Sequence, residues 1–298
     1  MAAMPVNWID HIVVPVASLD EAAAPYEKLG LHLTARARHE GLGTENRAMF
    51  VGSGANDFYL EFLAIPDREM ARAAAPERTA IYLAALDAGK GAARLMLGTE
   101  DIAGLASSVA GADGAPAVQS VAREGGAKIG DVTALEGVAN LAASAGAIQY
   151  AEGRNGQHER RAAAGYFVHN FPLKRLDHLA VMAPDIEAST AAWRDLLGVP
   201  VHGEVRGRGM IIRQMKIGDA IVELLGPESA DSPLASRPPG LSSMAAWEVD
   251  DIESAVALAR ERGFSPSDPV DGILPGTRVA TIPGAELAGV GMQLLQYV

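Results

Sequence analysis

The sequence has no cysteine, no excess of positive charge and no long apolar run. Without Cys there can be no thiolate zinc site, no structural disulfide and no Cys nucleophile. Lys and Arg number 25 against 37 Asp and Glu, a formal net charge of −12. That sign repels phosphate backbones and argues against a nucleic-acid partner. No unbroken apolar span is long enough to cross a bilayer, so no membrane association is expected. The opening Met1-Ala2-Ala3-Met4-Pro5 lacks the basic and apolar regions of a secretory signal, which makes a cytoplasmic location the default. What is present is apolar bulk. Hydrophobic residues make up 49% of 298 positions, enough to pack about two domains of ~150 residues each.

Two stretches read as copies of one another. Trp8-Ile9-Asp10-His11-Ile12-Val13-Val14 is followed by Phe58-Tyr59-Leu60-Glu61-Phe62-Leu63, and Arg175-Leu176-Asp177-His178-Leu179-Ala180-Val181 by Ala220-Ile221-Val222-Glu223-Leu224-Leu225. Each His opens an apolar strand and each Glu lies inside another. A carboxylate in an apolar strand is costly unless a cation or hydrogen-bond donors meet it. A divalent metal would meet both residues at once. Strand alternation could instead turn the Glu residues outward on an open face, and a barrel interior is the equal alternative.

The copies extend into a repeated plan. Ser18 with Glu21 has capping-box spacing, and Gly30 suits the end of that helix. Asp185 and Gly198 bracket a second helix, and Asp250 to Glu253 with Gly263 a third. A weaker copy runs from Ala93 to Gly98 and on through Ile102 to Val109. Short strand-like runs follow each helix, so each copy reads strand, helix, then about three strands. The second copy is the least clear. Gly111 to Ala147 has poor periodicity, the last strand is expected over Gly165 to Phe171, and Glu152 to Arg161 reads as an exposed loop. Pro172 to Arg175 reads as a linker, which divides the chain into 1–171 and 172–298.

Four such modules, with His on a first strand and Glu on a fourth, resemble the vicinal oxygen chelate superfamily, the glyoxalase, bleomycin-resistance and extradiol-dioxygenase group. The segment 39–47, His39 to Arg47, is similar to a loop-to-strand signature of its glyoxalase-like branch. The resemblance implies an α+β fold in which tandem βαβββ modules form two domains with curved mixed sheets enclosing a cleft. It also implies a divalent ion (Zn, Ni, Mn, Co or Fe) and a small-molecule substrate, and it admits a homodimer. Carried over position by position, the ligand set is His11, Glu61 and His169 in the first half, beside Arg94, and His178 and Glu223 in the second, where Met244 and Gln293 fill the other places. Arg94 cannot ligate a metal. It could hold a substrate carboxylate or phosphate, or pair with Glu61 in a metal-free site.

Pairing modules within each half groups His11, Glu61 and His169. Pairing across the halves groups His169, His178 and Glu223. Pairing within halves keeps sequence neighbours together and is preferred. The leading expectation is a metal-dependent lyase or isomerase acting on a small oxygen-rich substrate, with Glu61 or Glu223 as a base. The rivals are ring-cleaving oxygenation at Fe(II), and a metal-free binding protein with Trp193, Trp247 and Tyr59 as stacking surfaces.

Overall fold

The computed structural model describes residues 6–54, 57–111 and 114–298. The opening segment considered above for a signal, Met1 to Pro5, lies outside them. The first module is β1 (Trp8–Pro15), α1 (Leu19–Lys28), β2 (Ala37–Arg38), β3 (Glu45–Val51) and β4 (Phe58–Ala64). Two helices, α2 (Arg68–Ala74) and α3 (Pro76–Asp87), lead to the second: β5 (Arg94–Gly98), α4 (Ile102–Ser108), β6 (Val118–Ala122), β7 (Lys128–Ala134) and β8 (Ala145–Tyr150). Helix α5 (Gly153–Ala163) ends the first half. The third module is β9 (Arg175–Met182), α6 (Ile186–Asp195), β10 (Val201–Gly207), β11 (Met210–Ile217) and β12 (Ala220–Pro227). The fourth is β13 (Gly240–Glu248), α7 (Ile252–Glu261), β14 (Val270–Asp271), β15 (Thr277–Ile282) and β16 (Gly291–Tyr297).

Each half is one eight-stranded mixed sheet, ordered β2-β3-β4-β1-β5-β8-β7-β6 and β10-β11-β12-β9-β13-β16-β15-β14. Modules therefore pair within halves, across an antiparallel β1–β5 or β9–β13 seam. The local signals are capped as their chemistry requires. Ser18 Oγ accepts from Glu21 N and Asp185 from Ala188 N. The third cap is Asp251, one residue later than expected, accepting from Ser254 N. Gly30, at φ +87°, ends α1 in the left-handed region that a Cβ disfavours.

The sheets are separate but the core is shared. One buried cluster takes Ile9, Ile12 and Val14 from β1, Leu179 and Val181 from β9, and apolar faces of α1, α4, α6 and α7. Trp193 Nε1 donates to Leu141 O across the halves at 3.0 Å, and Phe58 meets Trp247 edge-on at 5.6 Å. Both Trp residues are buried there, which removes them as stacking surfaces for a ligand.

Two segments differ from expectation. Residues 152–161 lie mostly within α5, not in an exposed loop. Its sequence is too polar to show an apolar face, yet Gln157 and Arg161 are buried on it. The last strand of the second module is β8, and 165–171 is not a strand.

The halves also close differently. Edge strands β2 and β6 meet through a bridge between His39 and Arg123, with Glu40 N donating to Ala122 O at 3.1 Å and Glu124 N to Arg38 O at 3.2 Å. Every residue of β1 and β4 is buried as a result. In β9 and β12 buried and half-exposed residues largely alternate, the pattern of a sheet with one wet face. No helix among the described residues is long and apolar enough to cross a membrane.

A shared core makes the halves unfold together. Urea denaturation is expected to show one transition, with Trp247→Ala losing about 3–5 kcal/mol and the exposed Met244→Ala within about 0.5 kcal/mol of the parent. A plateau between two transitions would contradict the shared core.

Candidate active site

The site grows from a bulge. The β1–β5 register shifts between Ile9 and His11, which makes Asp10 an extra residue. Such a bulge re-aims side chains. Ile9, Ile12 and Val14 stay in the core, while His11 and Val13 line a cleft on the other face. The Asp10 carboxylate accepts from Trp8 Nε1 (2.8 Å), Tyr150 OH (2.8 Å) and His11 Nδ1 (2.6 Å). Arg161 Nη2 donates to Tyr150 OH at 2.8 Å and Nη1 to Asp57 at 3.0 Å. The Arg161 guanidinium also lies over Phe50, 4.5 Å from the ring centre. His11 stacks on Tyr59 at 4.3 Å.

On the neighbouring strand, Glu61 takes both sides of this arrangement. Its Oε2 is 3.4 Å from His11 Nε2 and its Oε1 is 3.7 Å from His39 Nε2. Asn46 Nδ2 donates to Glu61 Oε1 at 2.5 Å and lies 3.4 Å from His39 Nε2. With Asn46 donating to Nε2, the His39 proton sits on Nδ1, which donates to Thr44 Oγ1 at 2.9 Å.

The two imidazoles are pushed apart in acidity. Burial alone would lower His11, but hydrogen bonds and charge from Asp10 and Glu61 outweigh it and raise its pKa above 6.5. Burial, with the positive charges of Arg78, His11 and Arg123, lowers His39 against the pull of Glu61. Burial works against ionised Glu61 too. His11 foremost, then His39 and Asn46, hold it down at about 2. Asp10 is likewise held at about 2 against its burial, chiefly by His11.

The cleft has a volume of about 270 Å³. Arg94 lies in its wall, where Nη2 donates to Glu136 Oε2 at 3.0 Å and to Ala145 O at 3.2 Å. Its Nε is 2.6 Å from Glu136 Oε1 but off the hydrogen-bonding direction, an ionic contact only. Arg94 therefore pairs with Glu136, not Glu61. Gly146 makes room for it, since a Cβ there would stand 2.6 Å from Arg94 Nη2.

Of the expected site residues, His11, Glu61 and Arg94 converge in this cleft. His169 does not. It lies outside any strand, its Nδ1 accepts from His32 N (2.9 Å) and its Nε2 donates to Phe50 O (2.6 Å), so neither nitrogen is free to ligate. His178 and Glu223 meet on the open face of the second sheet, Nε2 to Oε2 3.7 Å, with Gln214 donating to Glu223 at 3.3 Å. Their bulge is the same: the register shifts opposite Leu176 and His178, and Asp177 Oδ1 holds His178 Nδ1 at 2.8 Å while Tyr297 OH donates to Oδ2 at 2.7 Å. His39, Asn46, Asp10, Tyr150 and Arg161 were not expected as site residues. His39 and Asn46 lay within the 39–47 segment, and Asp10 beside His11, so a signal existed for three of them.

A resident ion fits this donor set poorly. His11 and Glu61 are suitable ligands. The third place holds the Arg94 cation, and the cleft-facing residues of β8, Ile148 and Tyr150, offer neither imidazole nor carboxylate. In the second half Met244 is exposed and neutral Gln293 is half-buried. Among the described residues, no three or more His, Asp or Glu side chains are grouped to hold an ion.

Residues 9–143 match the family model described as a glyoxalase-like domain, and residues 177–281 that of the glyoxalase/bleomycin resistance protein/dioxygenase superfamily. The chain belongs to that superfamily. Among curated relatives, the mitochondrial methylmalonyl-CoA epimerase of Mus musculus is 32% identical over 131 residues, 42% of this chain and 74% of that protein. The ethylmalonyl-CoA/methylmalonyl-CoA epimerase of Cereibacter sphaeroides is 32% identical over 97 residues, 30% of this chain and 72% of its own. The crystal structure of methylmalonyl-CoA epimerase from Mycobacterium tuberculosis aligns at 20% identity with a TM-score of 0.41, covering 45% of this chain and 95% of that one.

Titration of the imidazoles by NMR is expected to place His11 above 6.5 and His39 below it, and Glu61→Gln to lower His11. The stabilisation from His11 is whole below its unfolded value near 6.5 and is lost as pH rises through the folded one. That from Glu61 is present above about 4.5 and is lost as pH falls toward 2. Equal titration of both imidazoles near 6.5 would contradict the geometry. A second prediction concerns metal: after incubation with Zn, Ni, Mn, Co or Fe(II) and desalting, the chain is expected to retain less than one ion. A stoichiometric ion lost in Glu61→Gln would contradict the misfit.

Proposed function

We propose that the chain is a glyoxalase-superfamily isomerase that moves a proton at a carbon beside a carbonyl. Its substrate is a small oxygen-rich molecule bound in the first-half cleft, and the work falls to protein side chains. The observation that carries this is the pair of imidazoles on opposite oxygens of Glu61, one pushed up and one pushed down in pKa. Environments that separate two titratable groups in this way assign an acid and a base.

In this assignment neutral His39 is the base. Its Nε2 lone pair, giving up the long 3.4 Å contact with Asn46, takes the C–H proton, and the bonding electrons move to the carbonyl oxygen as an enolate. Arg94, a fixed cation in the same cleft, stabilises the negative oxygen. His11, an imidazolium held by Asp10, returns a proton to the carbon, and the two imidazoles reset by exchange with water. Glu61 stays ionised and positions both. Positioned acid–base groups of this kind contribute about 10²–10⁴-fold each.

The test is solvent deuterium incorporation, followed by NMR, across a panel of methylmalonyl-CoA, small 2-substituted acids and 2-hydroxy ketones. His39→Gln and His11→Gln should each lower the exchange rate about 10²–10⁴-fold. The rate should follow a bell-shaped pH profile, rising as His39 loses its proton and falling as His11 loses its own. EDTA should leave it unchanged. Exchange that survives His39→Gln, or that requires added metal, would overturn the assignment. Saturable binding with no exchange on any substrate would leave a binding protein.

A further inference from the structure

The cleft is cationic in an acidic protein. Arg38, Arg78, Arg94, Arg123, Arg160 and Arg161 line it, against Glu61 as the one lining carboxylate among the described residues, although the chain carries a net charge of −12. Four of the six have carboxylate neighbours. Arg94 contacts Glu136 and Arg161 contacts Asp57, while Arg38 is 3.6 Å from Glu45 and Arg160 is 3.7 Å from Glu152. Among the described residues, Arg78 and Arg123 have no carboxylate within ion-pair distance. Arg123 follows β6 and meets His39 across the seam that closes the barrel. Arg160 and Arg161 arrive from α5. Arg123 and Arg160 are exposed and so stand at the cleft mouth, and partial desolvation, then the charges of Arg160 and Arg161, holds the Arg123 guanidinium below its usual value. An anion at the seam would relieve that repulsion, and guanidinium forks suit carboxylate and phosphate oxygens. The remaining wall is apolar and aromatic, with Phe50, Tyr59, Tyr82, Tyr150 and Tyr166 among the lining residues.

We infer that the substrate is a small organic anion with an apolar body, and that Arg123 and Arg160 at the barrel seam receive its carboxylate or phosphate. This rests on the first-half cleft being the working site, as proposed above. Arg94, balanced by Glu136, is assigned above to the reacting end of the substrate and is left out of this pair. The seam arginines then set which molecules enter, and they hold the charged end away from ionised Glu61. A field focused by one sign of charge in a low-dielectric cleft also raises the local concentration of anions.

The test is calorimetric binding to the full-length chain at low salt, with phenylacetate, phenyl phosphate and neutral phenylacetamide as probes. At least one anion should bind one per chain, at least about tenfold more tightly than the amide, and more weakly as salt rises. The Arg123→Ala/Arg160→Ala double variant should lose about tenfold or more in anion affinity. Arg123→Lys/Arg160→Lys should recover part of it, and Arg206→Ala in the second half should change nothing. Thermal unfolding of each variant controls for folding. The stronger of the two anions identifies the carboxylate or phosphate source. Amide binding equal to anion binding, or anion affinity unmoved in the double variant, would overturn the inference. Binding is read apart from exchange, so His39→Gln that binds the anion but exchanges nothing keeps the two proposals distinguishable.

Discussion

The site depends on one buried carboxylate. Asp10 is almost wholly out of water, where an unpaired charge is very costly. It persists because an indole, a phenol and an imidazole all donate to it. That arrangement works in both directions. Asp10 is held ionised, and His11 is held in one orientation with Nε2 turned to Glu61. Removing one partner from such a buried set costs more than the bond itself, since the remaining charge is left unpaired. The β-bulge is the geometric condition for all of it. Were residues 9–12 to alternate without the bulge, His11 would share the core face with Ile9 and Ile12 would turn to the cleft.

The second half repeats the device and arrives at a different environment. Asp177, His178, Tyr297 and Glu223 reproduce the relation of Asp10, His11, Tyr150 and Glu61. What differs is enclosure. The first sheet closes through His39 and Arg123 and is followed by α5, which supplies Arg161 to the cleft. The second leaves His178 and Glu223 half-exposed. Exposure weakens every electrostatic contact by solvent screening. The same residues in the same register are therefore enclosed in one half and open to solvent screening in the other.

The βαβββ order was legible in the sequence because its signals are local: strand runs, caps such as Ser18 and Asp185, and stops such as Gly30. His11 and Glu61 were legible because a second copy repeats them. Three things were not. Helix α5 was hidden by its own chemistry, since Gln157 and Arg161 are buried through polar contacts and leave no apolar stripe. His169 is not placed by sequence, because residues 165–171 have strand-like composition but form no strand. His39 was passed over because its role comes from closure between β2 and β6, a contact far apart in sequence that no single repeat encodes.

Arg94 links the chemistry to the fold. It stands on β5, beside β1, where the superfamily resemblance would place a ligand of an ion. The guanidinium keeps a positive charge at that place, but on different terms. It cannot be released, it does not titrate in the physiological range, and it must be balanced when the cleft is empty, which Glu136 does. It also needs space that an ordinary side chain at 146 would fill, and Gly146 leaves that space open. A guanidinium does not acidify a bound water as a metal ion does and accepts no proton, so it cannot generate a base. In the proposed reaction, proton transfer then falls to neighbours that titrate. In this cleft those are two imidazoles already driven in opposite directions by Asp10, Glu61 and the arginines around them. Under the proposed assignment, charge stabilisation and proton movement, joined in a metal centre, are divided between separate side chains.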